Sequence, residues 1–258
     1  MYRTAARTET GRMRQTDALL DRFLTGLAPL DPVAVWAHGS LAGGDYQEGR
    51  SDLDLIAVLR EPPAARTVWR LALLHARLRA EPLAAKLHCS YLAPGSAADA
   101  ERRHLTWAHE QLYRRTVTPV TRRELHSFGR VLHGRPPAGL LPPVPDAELA
   151  GYIVRNMREY WRPVVSRPAL WREDVWVDLG LLVLARATVT LRDGRLISKR
   201  EALAELPRLG APAEVVEDIT ARRYGDPAPP TEEWLARRAA LTRAYLGPAI
   251  DTLVASYS

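Results

Sequence analysis

Hydrophobic positions change period along the chain, and the change predicts which elements follow one another. In residues 16–27 the apolar side chains recur at helical spacing, so we expect an amphipathic helix with Thr16 as its N-cap. Short apolar runs at 33–37 and 52–59, rich in β-branched residues, predict two strands. Residues 63–80 then favour a long helix.

The next segment, residues 86–92, alternates between apolar and polar side chains. Leu87, Cys89 and Tyr91 share one face, and Lys86, His88 and Ser90 share the other, which predicts a half-buried third strand. Beyond it the strand signals stop, and residues 100–132 are expected to be helical. Further helical patterns cover residues 147–163, 174–191, 199–206, 212–222 and 231–256.

This order of elements predicts an α+β protein with two domains. We expect residues 1–140 to form a domain with a small mixed β-sheet flanked by helices, and residues 141–258 to form an all-α helical bundle. The proline-rich stretch 136–145 is the expected linker between them.

Composition narrows the class of protein. The longest apolar run, residues 179–185, is too short for a transmembrane helix, and the N-terminus does not resemble a signal peptide, so we expect a cytoplasmic protein. The single cysteine, Cys89, excludes an internal disulfide and a cysteine-based metal site.

The net charge of +6 comes almost entirely from arginine, because Lys86 and Lys199 are the only lysines among 36 basic residues. Acidic residues are interspersed and no dense basic run appears. We therefore expect a generic charged surface rather than a nucleic-acid partner. A membrane partner is not expected either, and we expect a monomer.

The segment from Trp36 to Leu59 carries the candidate chemistry. A strand ends in Gly39-Ser40, and about a dozen residues later Asp52 and Asp54 open the next strand. Strand period places both carboxylates on one face, where a divalent cation such as Mg²⁺ would offset their repulsion. The Gly-Ser turn offers an uncrowded backbone and a hydroxyl, which suit phosphate oxygens. A lone Asp-x-Asp is more often a solvated strand edge, so the prediction depends on the joint pattern.

This joint pattern resembles the signature of polymerase β-like nucleotidyltransferases. The second half resembles streptomycin/spectinomycin 3″-adenylyltransferases, which have a helical C-terminal domain. The resemblance there rests on Tyr160-Trp161-Arg162, Trp176-Val177-Asp178-Leu179-Gly180, Ala185-Arg186 and Gly194-Arg195-Leu196-Ile197-Ser198-Lys199. It implies an adenylyltransferase that moves AMP from Mg-ATP to a hydroxyl of an aminoglycoside-type antibiotic, releases pyrophosphate and confers resistance.

The same resemblance assigns roles to individual residues. Gly39 and Ser40 would bind nucleotide phosphates, and Asp52 and Asp54 would be catalytic metal ligands. In the helical domain, Arg186 and Lys199 would hold the triphosphate, although a solvated surface role is open for both. Trp161, Asp174 and Asp178 would bind the acceptor. For Asp174, an ordinary helix N-terminal acid is an equally good explanation.

The chain departs from the family at one position. Members typically carry a third acid, a glutamate, on the strand that follows the long helix, and here His88 aligns with it. Three explanations remain open: His88 is the general base, the reaction needs no protein base, or the enzyme is weakened or has changed substrate.

Two other function classes follow from these observations. A transferase acting on a protein or nucleic acid would share the signature, but the drug-modifying type of helical domain speaks against it. A non-catalytic nucleotide binder would explain the missing third acid. A DNA-binding protein would need a basic segment that enters a groove of the DNA, and the sequence shows none.

Overall fold

The computed structural model describes residues 3–96, 99 and 101–257, and their side chains from residue 15 onwards. The chain forms two compact units, Met1–Val144 and Pro145–Ser258. The first contains a mixed sheet and the second is helical, so the α+β class expected from the sequence is confirmed. Within the described residues, no helix is both long enough and apolar enough to cross a membrane.

The first unit contains six strands and four α-helices among the described residues. The strands are β1 (Ala34–Ala37), β2 (Leu53–Val58), β3 (Leu87–Leu92), β4 (Arg103–Ala108), β5 (Gln111–Thr116) and β6 (Arg130–Gly134). The helices are α1 (Arg3–Leu27), α2 (Gly39–Ala42), α3 (Ala65–Leu78) and α4 (Pro119–Phe128).

All six strands belong to one sheet, in the order β5-β4-β3-β2-β1-β6. Strands β2 and β3 are parallel and are connected through α3, whereas the other neighbouring strands are antiparallel. In the parallel pair, Leu53 is opposite Leu87 and Asp54 is opposite His88. This register, which joins distant parts of the chain, is what brings the candidate residues side by side.

The two faces of the sheet differ in chemistry. One face is apolar and packs against α1 and α3, with Phe23, Leu71 and Leu74 from the helices in its core. The other face has a smaller apolar cluster that includes Trp36, Ile56 and α4 residue Leu125. Because side chains alternate along a strand, Asp54 lies on the same face of β2 as Ile56. The polar residue Asp54 therefore lies on the face that carries the smaller cluster, near the first residue of β2.

The predicted start of the first helix was wrong. Helix α1 begins at Arg3, so Thr16 lies inside it rather than at its N-cap. Thr16 is buried, and its side chain donates a hydrogen bond to the carboxylate of Glu48. Its hydroxyl also lies 3.1 Å from the hydroxyl of Tyr46, so a residue typical of caps instead connects α1 to the loop before β2.

The prediction of helix over residues 100–132 was wrong for most of that range. Strands β4 and β5 form a hairpin with a two-residue turn at His109 and Glu110, and β6 follows α4. Both turn residues have positive φ, at 51° and 58°. Such turns usually contain glycine or asparagine, so the sequence lacked the common hairpin signal.

The prediction of a half-buried third strand was also wrong, because all six residues of β3 are buried. Cys89 and Tyr91 face the apolar core. On the other face, Ser90 lies 2.9 Å from the Thr106 hydroxyl of β4. The polar side of β3 is thus covered by protein rather than by solvent.

The second unit consists of six α-helices within the described part of the chain. They are α5 (Asp146–Asn156), α6 (Arg162–Val165), α7 (Asp174–Asp193), α8 (Lys199–Glu205), α9 (Ala213–Tyr224) and α10 (Glu232–Ser256). Helix α8 starts with a capping box in which Ser198 and Glu201 bond to each other's backbone N–H groups. Trp171 is fully buried next to Gly180, where an added Cβ would lie 2.7 Å from its ring.

Candidate functional site

The Gly39-Ser40 turn lies directly against Asp54. Gly39 has a φ of 60°, and a Cβ on this residue would lie 2.7 Å from Asp54 Oδ2. The backbone N–H of His38 donates a 2.9 Å hydrogen bond to the Asp54 carbonyl. The structure therefore places the predicted phosphate-binding turn beside one of the two predicted metal ligands, and only glycine fits at that contact.

Strand β3 and the residue before it present basic side chains to both carboxylates. Lys86 Nζ lies 3.7 Å from Asp52 Oδ1, and His88 Nδ1 lies 3.7 Å from Asp54 Oδ1. His88 is buried, its Nε2 has no hydrogen-bond partner, and its ring meets that of His109 edge to face at 4.7 Å. Asp52, Asp54 and His88 are thus together in the first unit, and Lys86 joins them.

Asp54 is held in its ionised form. Burial acts to raise its pKa, but the nearby side chains of His88, His38 and Arg115 outweigh burial and lower the pKa to about 2. At neutral pH the side chain is therefore a carboxylate with two acceptor oxygens. This is the state that a hard cation or a positively charged ligand group requires.

The donor set fits one magnesium ion carried by a nucleotide. Two carboxylates, here Asp52 directly before β2 and Asp54 within it, are the protein share that Mg²⁺ commonly takes when phosphates complete its shell. Gly39 leaves the space beside Asp54 Oδ2 that a side chain would fill. No group of three or more His, Cys, Asp or Glu side chains arranged for a metal occurs in the described residues.

A buried pair that the sequence analysis missed lies next to this site. His38 Nδ1 is 3.1 Å from Glu124 Oε2 of α4, and both side chains are less than a tenth exposed. The two residues are 86 positions apart, so no local pattern could pair them. A histidine at the end of an otherwise apolar strand was the available signal.

In the second unit, Arg186 is held beside the segment that leads into Lys199. Its Nε donates a 2.9 Å hydrogen bond to the carbonyl of Ile197. Lys199 is the first residue of α8, directly after the Ser198 cap. The two predicted triphosphate-binding residues are therefore neighbours across α7 and α8.

Trp161 is buried and is the last residue of a π-helical turn, Met157–Trp161. Its ring meets Tyr160 at 5.3 Å and Trp176 at 6.4 Å, both at steep angles. Tyr160 is 47% exposed, so this neighbour presents the aromatic cluster to solvent. Single π-helical turns are frequent at functional sites.

The predicted acceptor carboxylates, Asp174 and Asp178, share one face of α7 but are engaged in ion pairs. Asp178 lies 2.7 Å from Arg222 of α9, and Asp174 lies 2.7 Å from Arg238 of α10. Burial raises the pKa of Asp178, and the nearby Asp174 adds to that effect against the opposing influence of Arg222. Asp218 bonds to both arginines and completes the network.

Comparison with known proteins places the fold. No protein-family model matches the chain, and no curated protein matches its sequence. Among solved structures, the chain is similar to spectinomycin adenyltransferase AAD(9) from Enterococcus faecialis, determined with ATP and spectinomycin. The identity is 16% and the TM-score is 0.67, over 94% of this chain and 99% of the other. The chain therefore has the fold of that adenyltransferase.

Proposed function

We propose that this protein is an adenylyltransferase that transfers AMP from ATP to a hydroxyl of a small, cationic acceptor of the aminoglycoside type. The observation that carries the proposal is the close approach of the Gly39 turn to Asp54, with Asp52 directly before the first residue of the same strand. Similarity in fold to a protein solved with ATP and spectinomycin supports it.

In this proposal the first unit binds the reacting phosphates. The Gly39-Ser40 turn would contact phosphate oxygens, and Asp52 and Asp54 would hold Mg²⁺. When bound, the ion would supply positive charge that offsets the charge of the triphosphate. The resemblance in sequence also assigns Arg186 and Lys199 to the binding of the triphosphate.

The reaction needs one bond formed and one broken. The acceptor oxygen forms a bond to the α-phosphorus, the bond between that phosphorus and the bridging oxygen breaks, and pyrophosphate leaves. The hydroxyl proton must also leave the acceptor. His88 is the proposed base, because its buried Nε2 has no partner while Nδ1 faces Asp54.

The acceptor would be bound by the aromatic cluster around Trp161 and by the carboxylates of α7. An acceptor amine would then compete with Arg222 and Arg238 for Asp178 and Asp174. This requirement favours an acceptor with several positive charges over a neutral sugar, since each amine must replace a guanidinium contact.

A second candidate function is nucleotide binding without transfer. It is favoured by His88, which aligns with the glutamate of the nucleotidyltransferases that the sequence resembles. The two functions differ in one measurable quantity, because a binder retains ATP but does not release pyrophosphate.

The test is pyrophosphate release from Mg-ATP with a panel of aminoglycosides and related aminocyclitols. We expect release with at least one acceptor and its loss, by about 10²-fold or more, in Asp52→Asn. Asp21→Asn, on the exposed side of α1, is the matched control and should retain full activity. Full activity of Asp52→Asn would refute the metal assignment, and ATP binding without release by the wild type would favour the second candidate.

A further inference from the structure

The turn that would bind phosphate is too short to hold its own position. Helix α2 contains only Gly39–Ala42, and its N-cap residue His38 makes no side-chain hydrogen bond to the helix. A single helical turn is unstable alone, because nucleation fixes several residues for very few hydrogen bonds. Contacts with the rest of the first unit must therefore set where this turn lies.

Helix α4 contacts the turn at its beginning. The ring of His38 reaches Glu124 at 3.1 Å, while the His38 backbone bonds to the carbonyl of Asp54. A carboxylate only accepts hydrogen bonds, so His38 Nδ1–H is the donor. The residue that precedes Gly39 is thus fixed from two directions.

The same helix also contacts the end of the turn. A Cβ on Gly43, directly after α2, would lie 3.5 Å from the ring of Phe128. Phe128 follows Glu124 by four positions, so both lie on one face of α4. One rigid helix face therefore meets the turn on both sides.

We propose that Glu124 is a positioning residue that acts through His38 to fix the Gly39-Ser40 turn against Asp54. This inference rests on the proposed function, because it gives the turn the task of binding the triphosphate. Its expected effect is on the affinity for nucleotide rather than on the later chemical step.

A contribution to stability does not by itself explain why His38 and Glu124 are paired. Burying a carboxylate and an imidazole costs desolvation free energy, and apolar residues of similar size often pack as stably or better. A directional hydrogen bond, however, fixes the orientation of the His38 ring, which apolar contact does not. A positioning role therefore explains why polar groups occupy this buried contact.

The test compares three substitutions on α4. Glu124→Gln keeps an oxygen that accepts from His38, and we expect its KM for ATP to stay within about threefold of the wild type. Glu124→Met keeps the length but removes the acceptor, and we expect KM to rise at least tenfold while kcat changes less than threefold. Ser127→Ala, an exposed change on the same helix, is the control.

A structural readout separates this proposal from the proposed function. In Glu124→Met, amide hydrogen exchange should become faster in residues 39–44 and stay unchanged in β2 and β3. If the wild type neither binds ATP nor releases pyrophosphate, the proposed function fails, and the exchange experiment still tests the positioning role. Unchanged exchange in the turn, or an unchanged KM in Glu124→Met, would overturn the role of Glu124.

The reciprocal variant His38→Phe covers the case in which Glu124→Met does not fold. It should raise KM and speed up exchange in the same residues. The double variant His38→Phe/Glu124→Met should be no worse than either single one, because both remove the same interaction. Additive effects of the two changes would refute the claim that Glu124 acts through His38.

Discussion

The contact between Gly39 and Asp54 gives the sharpest prediction for the proposed site. In Gly39→Ala the new methyl group would stand 2.7 Å from Asp54 Oδ2 on a backbone with φ of 60°. Two effects follow, and they act on different quantities. The backbone conformation opposes folding, whereas the crowding displaces the carboxylate.

The cost in stability should be modest. Placing an L-residue in the left-handed region costs about 1–2 kcal/mol. For a domain of this size, that corresponds to a fall of about 2–8 °C in the melting temperature. The crowding adds little, because the atom that must move is the end of the Asp54 side chain rather than backbone.

The cost in activity should be much larger. Rotating the Asp54 carboxylate away removes one of two proposed metal ligands from its place beside the turn. A misplacement of about 1 Å at a reacting centre can lower the rate about 10²-fold. We therefore expect pyrophosphate release to fall by about that factor or more, in a protein that remains folded at 25 °C.

Two other glycines provide matched controls. Gly44 and Gly49 have φ of 76° and 80°, and an added Cβ on either would meet nothing within 4 Å. Gly44→Ala and Gly49→Ala should lower the melting temperature to a similar degree without a comparable loss of activity. If Gly39→Ala loses no more activity than these two variants, the assignment of the turn and Asp54 to one site is refuted.

Two further predictions concern stability. Burial lowers the pKa of His75, which lies 2.6 Å from the Tyr91 hydroxyl, from 6.5 to about 3, so the folded state loses stability as pH falls below about 6.5. Between pH 7 and pH 5 the free energy of unfolding of the wild type, measured by urea titration, should fall by about 2 kcal/mol more than that of His75→Phe. Equal losses in the two proteins would contradict this prediction. Arg238 is fully buried and lies 2.9 Å from Asp218, so Arg238→Met should destabilise the protein by about 3–5 kcal/mol. The control Arg237→Met, at an exposed position, should cost less than about 1 kcal/mol. Similar melting temperatures for the two variants would contradict this prediction.

The local part of the site was predictable because it depends on spacing within one strand. Asp52 and Asp54 are two residues apart, so strand geometry predicts one face for both, and in the structure Asp54 lies in β2 with Asp52 directly before it. The turn at Gly39 follows from the strand that precedes it. These inferences need no knowledge of which strands are neighbours.

The contacts around the carboxylates were not predictable in the same way. Alternation placed Lys86 and His88 on one face, but their position beside Asp52 and Asp54 depends on the parallel register of β2 and β3. Glu124 is further removed, since α4 approaches β1 only in the folded unit. Sequence periodicity carries no information about such partners.

The hairpin of β4 and β5 shows a different limit. Its strands contain Thr106, Trp107 and Tyr113, which favour β structure, yet the turn at His109 and Glu110 lacks the residues that usually mark one. Cross-strand pairing stabilises the hairpin despite this turn. Tertiary contacts thus overrode the local signal.

The division of the sheet into two faces has a practical consequence for changing what the protein acts on. On β1 to β4 the apolar core side is formed by odd-numbered residues, such as Leu55 and Cys89, and the opposite side by even-numbered ones, such as Asp54 and Ser90. A library that varies only even positions would leave the packing under α1 and α3 intact. Because Trp36 and Ile56 form the second apolar cluster on the even-numbered side, such a library would have to keep these positions fixed and vary only the polar ones.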